Sequence, residues 1–319
     1  MATGWKRVRR ASRAAVVRAV VRLLSHLPVR AALSLGAFIG ELAWLFSGAL
    51  RRDMRTNLAQ AFPERTPAER DAIARASLVH LAQLGSEIIT VVGRAGRVAD
   101  YVEVAPETLA VVRSAHQRGR GIVMVLGHIG NWELTCRLSP FLSGVGVIAK
   151  RSWHRSLDDM AERTRLTNAV ATLWRNDPRT VKEMLRLLKA GGTLGLLIDQ
   201  DIKDVQSVFV PFFGRLASTP RGAADLAMRF GAAVVVVTCH RRGGPGEGHR
   251  LEAVEVPYDA AAPDPEREVE RVTALCAELQ EAAIRRHPSE WVWMHHRWKT
   301  RPPEAEQAGA PAGPARRVS

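Results

Sequence analysis

The sequence is poor in cysteine and in aromatic residues. Its three cysteines, Cys136, Cys239 and Cys276, are odd in number and far apart, so they make neither a disulfide framework nor a CxxC zinc pattern. A reducing compartment is therefore expected. Aromatic residues make up 6% of the chain and include two tyrosines, which leaves few stacking platforms for single-stranded nucleic acid. The composition excludes a disulfide-rich secreted domain, a multi-span membrane protein and a repeat array.

Several catalytic motifs are missing as well. There is no GxSxG elbow, so a serine hydrolase would lack its nucleophile. There is neither a Walker A sequence nor a GxGxxG after a strand, so nucleotide binding is not indicated. HExxH is absent too, and we expect the neighbours His295 and His296 to face opposite ways in an extended segment. We therefore expect no metal and no cofactor, and favour direct attack by a substrate hydroxyl without a covalent enzyme intermediate.

Acidic residues are scarce relative to basic ones. The 46 Lys and Arg residues exceed the 32 Asp and Glu residues, which gives a formal net charge of +14. This excess implies an anionic partner, namely nucleic acid, an anionic membrane surface or an acidic substrate. Residues 1–40 hold eight basic side chains and no acidic one, with apolar residues between them. A basic helix with an apolar side is typical of an interfacial membrane anchor, although a solvated surface helix has a similar composition.

Residues 31–50 form an apolar segment that contains one charge, Glu41. As a helix, the segment would measure about 30 Å, which is just enough to cross a bilayer. An acid near the middle of a span costs a few kcal/mol. We therefore favour a helix that lies in the membrane interface or packs on the domain.

Short apolar runs and helical patterns alternate after residue 101. Strands that alternate with helices predict an α/β fold, with a central, mostly parallel sheet flanked by helices. The predicted strands are 121–126, 145–149, 193–198, 232–239 and 250–256. The predicted helices are 132–142, 155–168, 178–190, 220–230 and 265–286.

The most informative stretch is residues 121–134, GIVMVLGHIGNWEL. A predicted buried strand ends at Gly127 and His128, and a helix opens near Asn131 with Glu133 in its first turn. Ligands of open α/β sheets sit beyond the carboxyl ends of strands, where His128 would lie. The His-x4-Glu spacing lets the Glu133 carboxylate fold back toward the imidazole and hold its tautomer. A neutral His128 can then take a proton from an attacking hydroxyl.

From the spacing alone, a structural or helix-capping role for His128 is equally consistent. Five motifs in order, however, resemble those of one family. The chain resembles the bacterial lysophospholipid-acyltransferase-like superfamily, which includes the late (secondary) lauroyl- and myristoyl-type acyltransferases of lipid A biosynthesis and the related phosphatidylinositol mannoside acyltransferases of actinobacteria. The motifs lie between residues 28 and 302 and are 57–64 (NLAQAFPE), 127–133 (GHIGNWE), 162–165 (ERTR), 199–214 (DQD followed by FVPFFG) and 291–302 (WVWMHHRWKTRP).

This resemblance implies that a fatty acyl chain moves from a thioester to a hydroxyl of a membrane glycolipid, most simply a lipid A precursor. The co-substrate would be acyl-ACP or acyl-CoA, where ACP is the acyl carrier protein and CoA is coenzyme A. His128 would be the general base and Glu133 its orienting partner. Arg165 falls where the family has an active-site arginine, which would bind a phosphate or stabilise the developing oxyanion.

Three further residues are candidates for substrate binding. Asp199 and Asp201 follow a predicted buried strand, so they lie at a carboxyl end and either contact the acceptor or hold the loop. Asn131 lies in the turn HIGNWE, which departs from the Thr-rich turn of many lipid A enzymes and puts the acceptor in question rather than the reaction. Another phospholipid, an aminolipid or a glycosylated phosphatidylinositol is the alternative acceptor. A basic nucleic-acid-binding module is the non-enzymatic alternative.

The predicted organisation has three parts. Residues 1–50 form basic amphipathic and apolar membrane-associating helices, residues 51–301 form the acyltransferase α/β domain, and residues 302–319 form a disordered tail rich in Pro, Ala and Gly. The expected partners are an anionic glycolipid, a thioester donor and a membrane surface, without nucleic acid. The expected location is the cytoplasmic face of the inner (plasma) membrane.

Overall fold

A computed structural model of the chain describes residues 19–94, 96–152 and 155–303. Its N-terminal part is a layer of helices. Residues 19–26 are helical and are followed by α1 (Val29–Phe46), α2 (Gly48–Ala61) and α3 (Pro67–Glu87). A π-helical turn (Ile88–Val92) and the short α4 (Arg97–Tyr101) lead into the sheet. Within the described ranges, α1 is the one helix long and apolar enough to cross a membrane by length and composition.

The central sheet has seven strands. They are β1 (Val102–Val104), β2 (Ile122–Leu126), β3 (Val145–Ala149), β4 (Val170–Trp174), β5 (Thr193–Leu197), β8 (Ala233–Arg241) and β9 (His249–Val256). Their order across the sheet is β1-β9-β8-β2-β5-β3-β4. β2, β3, β4, β5 and β8 are parallel, whereas β9 is antiparallel to β8 and β1 follows the direction of β9. A separate hairpin of β6 (Ser207–Phe212) and β7 (Arg215–Pro220) lies outside this sheet.

Helices cover both faces of the sheet. One face packs against α5 (Pro106–Gln117) and a 3-10 helix (Trp132–Phe141), and the other packs against α7 (Thr180–Lys189), α8 (Gly222–Phe230) and α9 (Pro265–Arg286). α6 (Arg155–Leu166) packs beside β4. β2 and β8 are buried along almost their whole length, as expected for central strands covered on both sides. A third apolar cluster joins α2, α3 and the hairpin to the C-terminal tryptophans, near the 3-10 turn Pro288–Glu290.

The predicted α/β class with a mostly parallel sheet is confirmed. The five strands and five helices predicted after residue 101 are present, with bounds that agree within two residues. β1, α5, β4 and the hairpin were not predicted. β1 and β4 are short strands with mixed burial, and Pro211 interrupts the strand pattern of β6. The predicted basic anchor up to residue 18 and the predicted tail from residue 304 lie outside the described residues. The predicted boundary after residue 50 falls inside α2.

Candidate active site

Strand register brings His128 and Asp199 side by side. β2 and β5 are parallel neighbours that pair Leu126 with Leu197. His128 and Asp199 each stand two positions beyond the end of their strand, so both reach the carboxyl edge of the sheet at the same level. This is the edge at which open α/β sheets place their ligands.

The Asp199 carboxylate holds His128 at two points. Its Oδ1 lies 2.8 Å from the imidazole Nδ1, and its Oδ2 accepts the His128 backbone N–H at 2.6 Å. The Trp291 indole Nε1–H donates to the same Oδ2 at 2.8 Å. The Asp199 side chain is 1% exposed and the His128 side chain 23%, so a buried carboxylate supports a ring that is open to the cavity.

The electrostatics of this pair favour one imidazole tautomer. Burial by itself would raise the pKa of the Asp199 carboxyl. The charge of His128 and the hydrogen bonds that the carboxylate accepts from His128 and Trp291 instead lower that pKa to about 2. The ionised carboxylate favours a proton on Nδ1, which leaves Nε2 free to accept a proton. Trp132 packs edge-on against the ring at 4.8 Å between ring centroids and so holds it from another side. The Gln200 amide nitrogen lies 3.0 Å from Nδ1, but it makes no hydrogen bond to this atom while Nδ1 carries the proton.

The carboxylate beside the His128 ring is that of Asp199, whereas the His-x4-Glu spacing predicted Glu133. Glu133 instead makes a bidentate ion pair with Arg165, with Nε–Oε2 at 2.9 Å and Nη2–Oε1 at 2.5 Å. Residues 132–141 form a 3-10 helix directly after the turn, and this helix directs Glu133 toward α6. The predicted contact is therefore corrected to Asp199.

The Arg165–Glu133 pair lies in the cavity wall. The two side chains are only 14% and 13% exposed. Burial alone would lower the pKa of Arg165, but the hydrogen bonds and charge of Glu133 raise it above its ordinary value. Arg165 also donates to Thr172 Oγ1 at 3.4 Å. The site thus holds a charged guanidinium in a fixed position.

Asp201 and Asn131 both have protein partners. The Asp201 carboxylate accepts the backbone N–H and the hydroxyl of Thr300 at 2.8 and 3.1 Å, and its carbonyl accepts from Lys299 Nζ at 2.6 Å. It therefore anchors the C-terminal segment while also lining the cavity. Asn131 is fully buried, and its Nδ2 donates to Glu87 at 3.0 Å. Its side chain faces the interior rather than the cavity, which differs from the predicted substrate contact.

The turn that carries His128 is fixed to β8 and to the C-terminal segment. Gly130 has φ +57°, and a Cβ there would lie 1.6 Å from the Cys239 carbonyl oxygen. Its backbone N–H donates to the Glu290 carbonyl at 2.9 Å, and that of Asn131 donates to the Cys239 carbonyl at 3.2 Å. Only glycine fits so close an approach.

Four residues around His128 were not among the predicted site residues: Trp132, Gln200, Trp291 and His295. All four lie in motifs that carry the family resemblance, but the sequence analysis gave them no role. The His295 ring centroid is 5.8 Å from that of His128. Burial, followed by the charge of His128, lowers the pKa of His295 to about 4, so this ring is neutral at pH 7. His296 is 56% exposed and faces Asp53 at 3.8 Å, so the vicinal histidines face different ways as predicted, although their segment forms turns and is not extended.

A cavity of about 1140 Å³ opens beside His128. It reaches between β3 and β5, whose pairing ends at Val147 and Gly195 although β2 and β5 pair two residues further. Under the 3-10 helix the wall is apolar, and we term this part the apolar lobe. It is lined by Met124, Leu126, Cys136, Leu142, Val145, Val147, Val170 and Leu197.

The wall beyond the strand ends is charged, and we term it the charged lobe. Its charged residues are Lys150, Arg175, Asp201, Lys203, Asp204, Asp225 and Lys299. The site therefore joins an apolar compartment and a polar one beside a single imidazole. Within the described residues, no group of three or more His, Cys, Asp and Glu side chains is placed to hold a metal ion.

Comparison with known proteins gives a family match along almost the whole chain. A family model described as bacterial lipid A biosynthesis acyltransferase matches residues 3–300. The match includes the strand end with His128, the loop with Asp199 and the C-terminal segment with Trp291.

Curated relatives are similar over most of their length. The chain is 28% identical to a lipid A biosynthesis lauroyltransferase of Escherichia coli (strain K12), over 89% of this chain and 90% of that protein. It is 27% identical to a lipid A biosynthesis palmitoleoyltransferase of the same organism, with the same coverage. It is also 27% identical to a phosphatidylinositol mannoside acyltransferase of Mycolicibacterium smegmatis, over 77% of this chain and 78% of that protein.

Proposed function

Because the chain belongs to the bacterial lipid A biosynthesis acyltransferase family and is an O-acyltransferase, we propose that it transfers a fatty acyl chain from acyl-ACP or acyl-CoA to a hydroxyl of a lipid A-like glycolipid. One observation carries the mechanism: the His128–Asp199 pair beside the apolar lobe. The pair supplies a base, and the lobe supplies a compartment for an acyl chain.

His128 Nε2 takes the proton of the acceptor hydroxyl while that oxygen attacks the thioester carbonyl. Asp199 stabilises the resulting imidazolium without taking the proton itself. Collapse of the tetrahedral intermediate breaks the C–S bond, and the leaving thiolate takes the proton back from the imidazolium. The products are an ester and a free thiol, with no covalent enzyme intermediate.

Arg165 stabilises negative charge in this mechanism. A fixed guanidinium in a partly buried wall can bind a phosphate of the substrate or the developing oxyanion. Glu133 acts through Arg165, because its carboxylate accepts from both Nε and Nη2 along one edge of the guanidinium. This role replaces the orienting role that the His-x4-Glu spacing predicted.

The charge of the protein suits both substrates and their location. Lipid A-like acceptors are anionic and lie in an anionic leaflet, and both donor carriers are acidic or phosphorylated. A protein with a net charge of +14 is attracted to each of them. We place the reaction at the cytoplasmic face of the inner membrane, where the donors are available. The basic nucleic-acid-binding alternative rests on charge alone.

Replacement of the base tests the mechanism. We expect His128→Ala to lower the rate of acyl transfer by about 10²- to 10⁴-fold, the usual contribution of a positioned base. The measurement is the transfer of a labelled acyl chain to extracted glycolipid by the purified full chain in detergent. His116→Ala, on α5 and outside the cavity lining, is the matched control and keeps full activity. Wild-type activity in His128→Ala would overturn the mechanism.

A second acceptor class is favoured by one relative. The similarity to a phosphatidylinositol mannoside acyltransferase points to a glycosylated phosphatidylinositol as the alternative acceptor. Mass spectrometry of lipids from cells with and without the protein separates the two. Loss of one acyl chain from lipid A identifies the proposed acceptor, and loss from a mannosylated phosphatidylinositol identifies the alternative.

A further inference from the structure

Helix α1 exposes an apolar face. Ten large hydrophobic side chains of the described residues are exposed, and half of them lie on this one helix. Phe46 is the most exposed of them, at 77%. Their spacing places most of them on one side of the helix. We term this set the apolar face; it consists of Phe38, Ile39, Leu42, Leu45 and Phe46.

The opposite side of α1 is fixed to α3. A Cβ on Gly36 would lie 3.0 Å from Gln83 Cα, and one on Gly40 would lie 2.5 Å from Val79 Cα, so the two backbones are in contact. The other buried residues of α1 lie on this same side. Because the contact follows the length of α3, α1 could stand across a bilayer only by leaving the domain. The packing therefore favours a helix that lies flat.

A pocket of about 320 Å³ lies beside the C-terminal end of α1. Arg51 donates to the backbone carbonyls of Trp44 and Leu45 at 2.6 and 2.8 Å, so its side chain caps the C-terminal end of α1. The guanidinium carbon of Arg51 lies 5.7 Å from the Trp44 ring centroid. We term this the arginine pocket; it is lined by Trp44, Arg51, Arg55, Asp71, Ala72 and Arg75.

The arginine pocket carries an excess of positive charge. Arg55 pairs with Asp71 at 2.6 Å, and Arg75 pairs with Glu41 at 2.7 Å. The third guanidinium, that of Arg51, donates to carbonyl groups, so three positive groups face two carboxylates. The Arg55 and Arg75 side chains are 53% and 58% exposed and are open to a ligand. Guanidinium groups bind phosphate through paired N–H donors.

We propose that α1 lies in the plane of the membrane, with the apolar face among the lipid chains and the phosphate of an anionic phospholipid headgroup in the arginine pocket. Trp44 lines the arginine pocket, and tryptophan is enriched at membrane interfaces. The net charge of +14 supplies the attraction to an anionic leaflet. This inference rests on the proposed function only for the presence of a membrane substrate.

Thiol labelling tests the orientation of α1. The native cysteines are buried, so single accessible thiols can be placed at exposed positions on either side of α1: Ala31→Cys in its first turn and Ala49→Cys just beyond its end, in the first turn of α2. The full chain is bound to vesicles of phosphatidylcholine and phosphatidylglycerol and treated with a membrane-impermeant maleimide. If α1 lies flat, both positions react before the vesicles are lysed. Protection of one end until lysis indicates a span and overturns the proposal.

Vesicle flotation tests the two parts of the surface separately. We expect Leu45→Ser with Phe46→Ser to weaken binding to all vesicles at least tenfold, while Val254→Ser, an equally polar change at an exposed valine of β9, has no effect. We expect Arg75→Gln to remove most of the preference for phosphatidylglycerol over pure phosphatidylcholine vesicles. Arg118→Gln, in an exposed ion pair with Glu255, is its control and keeps that preference.

Other outcomes of flotation decide against the proposal. If the apolar-face variant binds vesicles normally but no longer self-associates, the face is covered by a second copy of the chain. If Arg75→Gln and Arg118→Gln lose the preference equally, total charge rather than the pocket attracts the membrane. Acyl transfer measured in detergent is read independently, so failure of the membrane proposal and failure of the proposed function are distinguishable.

Discussion

Asp199 makes two contacts to His128, whereas the sequence predicted that it contacts the acceptor or holds its loop. Both of its carboxylate oxygens contact His128, and the Trp291 indole N–H donates to one of them. The Asp199 side chain itself is buried. The sequence predicts that Asp199 lies at a strand end. It does not predict the neighbour at that edge, because the pairing of β2 with β5 joins segments about 70 residues apart in the chain.

Replacement of Asp199 by Asn tests the tautomer argument. The change keeps the size of the side chain but removes the charge that holds the proton on Nδ1. We expect kcat to fall by about 10²-fold or more, with a smaller change in KM. Steady-state kinetics in detergent measure this effect. Asp100→Asn, at an exposed carboxylate on α4, serves as the control, and equal effects of the two changes would contradict the argument.

Glu290 gives a pH-dependent contribution to stability. Burial, the largest effect, raises the pKa of its carboxyl from 4.5 to about 7. Because the pKa in the folded state lies above the unfolded value, the contribution is fully present below about pH 4.5 and is lost as the pH rises through about 7.

Glu290→Gln removes this titration and keeps an acceptor for the Arg241 backbone N–H, which lies at 3.1 Å. As the pH rises from about 5 to about 8, we expect the unfolding free energy of the variant to increase by about 3 kcal/mol relative to that of the wild type. Denaturant unfolding at the two pH values measures the difference. A difference that is the same at both values would show that Glu290 does not titrate in this range.

At the scale of elements, the turn between β2 and the 3-10 helix is the most constrained part of the site. We expect Gly130→Ala to abolish activity and to lower the melting temperature, because its Cβ would collide with the Cys239 carbonyl. Gly119→Ala is a matched control, since Gly119 has φ +68° and nothing within 4 Å of the added Cβ. That variant carries only the backbone strain, so activity is kept. Similar losses in both variants would point to strain rather than to contact.

The elements differ in how far local sequence predicts them. α9 has the predicted bounds because its capping residue and helical periodicity are local signals. β6 was not predicted, since Pro211 interrupts its pattern and its partner β7 completes it only through hydrogen bonds between the strands. The 3-10 form of residues 132–141 was not predicted either, and it determines where Glu133 points.

At the scale of the whole molecule, the depth of the apolar lobe follows from the sheet. Val145 pairs with Thr193, which pairs with Ile122, so it lies level with the start of β2. At about 3.3 Å per residue, this level is roughly 13 Å from Leu126 at the site end of the strand. Val145 therefore marks the end of the lobe remote from His128.

Val145→Trp tests whether this lobe holds the acyl chain. We expect the preferred donor to become shorter, with kcat/KM falling about fourfold for each methylene that no longer fits. Competition between thioesters of different chain length measures the shift. Val254→Trp, at a valine exposed on β9, leaves the preference unchanged. An unchanged preference in Val145→Trp would place the acyl chain elsewhere.

The sequence by itself determined the α/β class, the alternation of elements, the position of His128 at a strand end and the family, because periodicity, caps and short motifs are local properties of the chain. Only the tertiary structure decided which carboxylate meets His128, that Asn131 faces the interior and that α1 packs along α3. These depend on strand register and on backbone contacts between distant segments, for which no local pattern carries the information.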